Sequence, residues 1–310
     1  MANLSVVRQA PHGDSWWAAW HSFVLALRAE HASEHTIAVY TEAARQFHAW
    51  QLEHQRPVDP AQVSREDVQA FLVELLAIRK PATVRSRFAA LRRFFGWLVE
   101  EDDLDRSPFE RLKAPKVPEA PPQTLSDDEL RRLLKACEGK TFEQRRDASI
   151  VRLLIDTGLR RGELASLTVD GIDFQARLLR IDRRKGGNGG VVPMGARAAR
   201  DLDRYLRVRS KHPQADDPRL WLGTRGPLSG DGVYQMVERR AQQAGVDRRI
   251  FVHLFRHSFA DAFQRHGGSE ADLQRLGGWR DPRMTRRYGA WAADQRAHEA
   301  HRKFSPGDRL

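Results

Sequence analysis

Thr157-Gly158-Leu159-Arg160-Arg161-Gly162-Glu163-Leu164 ends one helix and begins another. Ahead of it, Ile150, Val151, Leu154 and Ile155 recur at helical spacing, and Gly158 is the kind of residue at which such a helix stops. A short helix from Arg160 to Leu167 follows, so Arg160 stands at a junction and not deep in a helix face. Glu163 lies three positions on, on the same side, and alone the two read as a local ion pair.

Downstream, two apolar runs, Leu178 to Ile181 and Val191 to Pro193, flank the glycine-rich Lys185-Gly186-Gly187-Asn188-Gly189-Gly190, the pattern of a β-hairpin. The spacing excludes a P-loop, because no Gly-Lys-Ser/Thr precedes a helix, and Lys185 taken alone is a solvated turn residue. From Val252 to His266 the pattern predicts a helix that buries Phe255, Phe259, Ala262 and Phe263. His253, Arg256, His257 and Ala260 are left on its other side. His253 and His257 have the spacing of a zinc site, but in His253-Leu254-Phe255-Arg256-His257 an arginine replaces the intervening glutamate and would repel a divalent ion. Asp281-Pro282 then reads as the cap and first residue of a helix bearing Tyr288. A lone tyrosine at such a position is ordinary core filling. A free phenol, with a pKa near ~10, is scarcely ionised at neutral pH, whereas a nest of guanidinium groups favours the phenolate.

Upstream, Trp16, Trp20, Phe23 and Leu27 repeat at helical spacing, as do Ile37, Tyr40, Phe47 and Trp50. Ser64 and Asp67 open a third helix with Val68, Phe71, Leu72 and Leu75. Pro81 precedes a fourth with Val84, Phe88, Leu91, Phe95 and Leu98. A bundle of four helices over residues 14–106 is implied, behind a loose tail at 1–13. The stripe Arg85, Ala89, Arg92, Gly96 sets cations beside small residues. It is either a DNA-facing ridge or a plain solvated face. Pro108, Pro115, Pro118, Pro121 and Pro122 mark a semi-extended linker over 107–124, and Ser126 with Glu129 forms a capping box that opens a second domain, 125–310. The expected fold is mainly α with a small β-sheet.

In 310 residues, 52 Lys and Arg against 41 Asp and Glu give a net charge of +11, which favours a polyanionic partner. Cys137 is the only cysteine, so no intrachain disulfide forms. No apolar run approaches the ~20 residues of a membrane span and no signal segment is evident, which points to a cytoplasmic protein of bacterial, phage or plasmid origin with no membrane partner.

Taken together, TGLRRGEL at 157–164, the lysine hairpin, HLFRH at 253–257, LGGW at 276–279 and the final Tyr288 resemble the tyrosine recombinases, the family of phage integrases and Xer-type enzymes. The resemblance covers almost the whole chain. It implies a SAM-like core-binding domain that grips DNA, with Arg85 and Arg92 as candidate contacts, and an α+β catalytic domain. Arg160 and Arg256 would clamp the scissile phosphate, each guanidinium able to donate two parallel hydrogen bonds. Lys185 would protonate the leaving 5′ oxygen, His253 would bond the phosphate or assist the tyrosine's proton, and Tyr288 would be the nucleophile. Trp279 stands where other members carry histidine or tryptophan, and its indole N–H can donate a bond but not shuttle a proton. Glu163 matches an acidic position that orients the arginines, and His257 a histidine outside the usual catalytic set.

The resemblance further implies a 3′-phosphotyrosine intermediate, with neither metal nor ATP as cofactor. The partners it implies are double-stranded DNA, a tetramer on paired sites, and an accessory recombinase or directionality protein. It also implies an enzyme without an arm-binding domain, and a tail, 290–310, that packs on a neighbouring protomer. Rival readings are a type IB topoisomerase or hairpin-resolving enzyme, and a non-enzymatic DNA-binding regulator. An RNA-binding protein fits less well, because exposed aromatic sheet motifs are missing.

Overall fold

The computed structural model describes residues 15–118, 122–182, 189–279, 297–298 and 301–309. The expected tail at 1–13 lies outside them, as do Lys185, Tyr288 and most of the C-terminal tail. The chain divides into two compact units, Met1–Glu119 and Ala120–Leu310. Among the described residues no helix is long and apolar enough to cross a membrane.

The first unit is the four-helix bundle: α1 (Ser15–Ala29), α2 (Glu34–Glu53), α3 (Arg65–Ile78) and α4 (Pro81–Glu100). Its helix starts are written in short polar motifs. The Ser33 hydroxyl accepts from the Thr36 amide at 3.1 Å, Ser64 and Asp67 form a reciprocal capping box, and Pro81 occupies the first turn of α4. Aromatic rings fill the interior. Trp20 meets Phe94 edge-on at 4.9 Å, and Trp16 lies 5.5 Å from Phe47, offset geometries that suit the ring quadrupoles. Tyr40 is only half-buried, because it sits at the edge of the α2 stripe.

The proline-rich stretch starts inside this unit. Phe109 is fully buried, 5.3 Å from Phe88 and 5.6 Å from Phe95. One ring without helical neighbours leaves no periodic trace, yet it anchors the chain where it leaves the bundle. Along α4 the predicted stripe faces outward, with Arg85, Ala89 and Arg92 exposed and Gly96 half-buried. A Cβ on Gly96 would meet nothing within 4 Å.

In the second unit α5 (Asp127–Ala136), α6 (Phe142–Thr157) and the short α7 (Arg161–Ala165) precede a three-stranded antiparallel sheet. Its order is β1 (Ile172–Asp173), β2 (Leu178–Ile181), β3 (Gly190–Pro193). The register Ile181↔Gly190 closes the predicted hairpin around the glycine-rich loop. Then come α8 (Ala196–Arg209), a small hairpin of β4 (Leu222–Gly223) and β5 (Gly226–Pro227), α9 (Gly230–Gln243), α10 (Val252–Arg265) and α11 (Glu270–Gly277). α6 is the central helix, packed by α8 and α10. The sequence pattern did not show β1, β4 or β5, since two-residue strands carry no alternation.

Charges are buried here, and all of them are bonded. Asp147, fully buried, accepts from Arg146 and Arg240 at 2.8 Å each. Arg209 donates to the carbonyls of Ala215, Asp217, Arg219 and Leu220, which gathers the loop before β4. Trp221 donates its indole N–H to the Leu164 carbonyl at 2.9 Å and so holds the end of α7.

Candidate active site

Two glycine turns build the site. At the end of α6, Gly158 takes φ +59°, a conformation cheap only for glycine, and its amide bonds the Leu154 carbonyl. A Cβ there would also lie 2.6 Å from the Phe259 ring. The reversal delivers Arg160 to the start of α7, where its backbone N–H donates to Glu163 Oε2 at 2.9 Å and its Nη1 to Oε1 at 2.6 Å. Glu163 therefore caps the helix and aims the guanidinium with one carboxylate. The ion pair expected from spacing is real, and its second role comes from the backbone bond.

The other turn is Leu276-Gly277-Gly278-Trp279. Gly278 caps α11 at φ +59°, and the Trp279 amide reaches back to the Gln274 carbonyl at 3.1 Å. The indole folds across Gly277 so closely that a Cβ there would lie 1.9 Å from the ring. Both glycines are required, one for the turn and one for the ring.

Arg256 joins the two turns. Its Nη1 donates to the Gly158 carbonyl at 2.9 Å and its Nη2 to the Gly277 carbonyl at 2.6 Å, while the guanidinium lies over the Trp279 ring, 3.9 Å from its centroid. Arg160 Nη2 approaches the Gly278 carbonyl at 3.4 Å. Both arginines are thus pinned to one short turn.

The predicted face of α10 needs correction. Arg256 is only 2% exposed and Ala260 is fully buried, whereas Phe259, Ala262 and Phe263, expected in the core, are half-buried. The reason is that α10 packs against both α6 and α11, so burial wraps around it, while the reading from periodicity supposed a single neighbour. His253 does face outward, and its ring meets that of His257 edge-on at 4.9 Å. Partial desolvation, then the charges of Arg256 and Arg160, push the His253 pKa below its ordinary value, so the imidazole is neutral at neutral pH.

Arg160, Glu163, His253, Arg256, His257 and Trp279 therefore converge on one region. Lys185 and Tyr288 lie outside the described residues. Sequence reasoning missed the carbonyls of Gly158 and Gly277 as holders of Arg256, and Trp221 as the prop of α7. The glycines were visible in the motifs; nothing local marked Trp221, whose partner is 57 residues away. Chemically, two guanidinium groups, one neutral imidazole and one indole N–H suit a tetrahedral anion with several oxygens.

A model of the phage integrase family matches residues 123–295, and one of the phage integrase N-terminal SAM-like domain matches residues 20–104. A tyrosine recombinase XerC of Chromobacterium violaceum is 34% identical over 205 residues, covering 66% of this chain and 68% of the relative. A tyrosine recombinase XerD of Listeria monocytogenes is 26% identical over 279 residues, 88% of this chain and 93% of the relative. The fold is similar to that of the XerH site-specific recombinase bound to palindromic difH substrate in a post-cleavage complex. The TM-score is 0.73 at 19% identity, over 88% of this chain and 81% of the other.

Proposed function

The chain belongs to the phage integrase family and is a site-specific tyrosine recombinase, and from that premise we propose how its own residues cut and rejoin DNA. Arg160 and Arg256 hold the non-bridging oxygens of a scissile phosphate. Neutral His253 and the Trp279 indole N–H add hydrogen bonds to the same group. Tyr288 attacks phosphorus, and the bond from phosphorus to the 5′ oxygen breaks as Lys185 gives that oxygen its proton. The strand remains joined through a 3′-phosphotyrosine until a 5′ hydroxyl of a partner strand attacks and frees the tyrosine. One phosphoester replaces another, so the exchange needs no ATP, and the cationic side chains supply the electrostatic stabilisation in place of a metal.

The observation that carries this reading is the tying of Arg160 and Arg256 to a single glycine turn beside Trp279. Charges fixed before the phosphate arrives need no reorganisation during reaction. In the first unit, Arg85 and Arg92 on the open face of α4 contact duplex phosphates, and Gly96 gives room for the backbone to approach. Copies bound at two paired sites form a tetramer, in the cytoplasm of a bacterial cell.

Nicked suicide DNA carrying the attachment sequence beside the gene tests the scheme. A covalent protein–DNA adduct is expected from the wild type and none from Tyr288→Phe. An adduct that persists in Tyr288→Phe overturns the assignment of the nucleophile.

A further inference from the structure

We propose that the outer face of α1 in one copy packs into the groove beside α3 of the next, joining the N-terminal bundles head to tail. This goes beyond the strand-transfer chemistry and rests on the assembly of several copies on DNA. Two unusual surfaces of the same bundle motivate it.

The solvent side of a surface helix ordinarily carries charge. On α1 the outward stripe is instead Ala18, Ser22, Leu25 and Ala29, at helical spacing, all exposed and none charged. Leu25 is 65% exposed. On α3 the inward stripe reaches the core, yet the opposite side is apolar too, with Val73 67% exposed and Leu76 41%. These two, with Leu112 from the segment after the bundle, line a groove of about 620 Å³ rimmed by Arg65, Arg111 and Lys113.

Charge selects the occupant. The α1 stripe ends at Glu30, which shares Arg93 with Glu100, and the exposed Glu101, Asp102 and Asp103 follow. An uncharged stripe with an acidic end therefore complements an apolar groove with a basic rim. Groove against groove, or α1 against α1, would set like charges together. A contact between unlike surfaces of identical chains is heterologous, and such contacts close into rings when the rotation permits. The four-membered ring suits four copies on two paired sites.

Cross-linking tests the contact. The native Cys137 is buried and its thiol is pushed up to about 12 by that burial, so it stays silent toward maleimides and single cysteines can be read cleanly. Leu25→Cys and Val73→Cys copies, each full length, are mixed on attachment-site DNA and treated with a short bismaleimide. The expected result is a cross-linked dimer in the mixture, severalfold above either variant alone. No excess in the mixture, or equal yields in a single variant, overturns the proposal. The covalent DNA adduct is measured in the same samples, so a failure of the cleavage chemistry is seen separately. As a second arm, Leu25→Asp and Val73→Lys should each weaken assembly on DNA, and mixing the two should restore it. Weakening without recovery in the mixture counts against the contact.

Discussion

The N-terminal bundle and the catalytic unit keep their interiors in opposite ways. Among the described residues the bundle buries Trp16, Trp20, Phe23, Phe47, Phe94 and Phe95 against one another, and Gln51 and Asp67 are its only buried polar side chains. The catalytic unit buries Asp147, Arg146, Arg209, Arg240, Glu163 and Arg256. Rings and aliphatic groups attract without direction, so the bundle's core sets a shape and tolerates repacking. A buried guanidinium is held by named oxygens at short range, so its position is fixed and its loss is costly. The bundle serves as a grip that can adjust to a duplex, and the catalytic unit as a frame that cannot move its charges.

Breaking the frame should produce the largest effects. Asp147→Ala would strand Arg146 and Arg240 without their shared carboxylate, at a cost of about 3–5 kcal/mol. Phe94→Leu in the bundle should cost only about 1 kcal/mol, because the neighbouring rings close around the smaller side chain. Urea unfolding followed by circular dichroism measures both, and the contrast fails if the two variants lose the same stability. Next in size, Arg256→Lys should slow adduct formation on suicide DNA by about 10²- to 10³-fold. A single ammonium cannot reach the carbonyls of Gly158 and Gly277 and still present a fork to the phosphate. Gel-shift affinity should hold, since the grip lies elsewhere; an equal loss of both would place Arg256 in binding and not in cutting.

The two regions also differ in how far they could be read without coordinates. The bundle was legible because each helix faces one core, and one-sided burial leaves a period of 3.6. Its missed element, Phe109, has no neighbours in sequence to make a pattern. In the catalytic unit the capping boxes at Ser126 and at Arg160 and the β2–β3 hairpin were visible locally. The burial of α10 was not, because two neighbours enclose it and erase the polar face. The site residues themselves were found from short motifs, since glycine turns and the residues they position are adjacent in the chain. What props them, such as Trp221 under α7, comes from far away.

A smaller effect concerns the point where the catalytic unit begins. Glu129 accepts from Arg248 at 2.7 Å and caps α5 through the Ser126 amide, and Arg248 also bonds the Thr124 carbonyl. The Arg248 hydrogen bond above all holds the Glu129 pKa at about 2, below its ordinary value of 4.5. A carboxylate with a depressed folded pKa gives stability that is full above its unfolded value and is lost as pH falls. Between pH 4.5 and about 2 the clasp should therefore release. Because the side chain keeps solvent contact, the loss is about 1 kcal/mol. Arg248→Ala should flatten that part of the stability–pH curve, and an unchanged slope would show that other carboxylates govern it.

The smallest effect tests the grip. Gly96 sits inside α4, where glycine costs roughly 0.5–1 kcal/mol against alanine, and no neighbour lies within 4 Å of its missing Cβ. Packing gives no reason for it. Gly96→Ala should therefore stabilise the bundle by about that amount, while the added methyl, on the face of Arg85 and Arg92, weakens DNA binding. Arg92→Ala provides the scale: it should lower affinity and reduce the slope of log affinity against log salt by about one. Gly96→Ala should lower affinity with the slope unchanged, since a methyl blocks approach without removing a charge. If Gly96→Ala stabilises the protein and leaves binding untouched, the duplex does not come close to α4 at that turn, and the two arginines reach it from a greater distance.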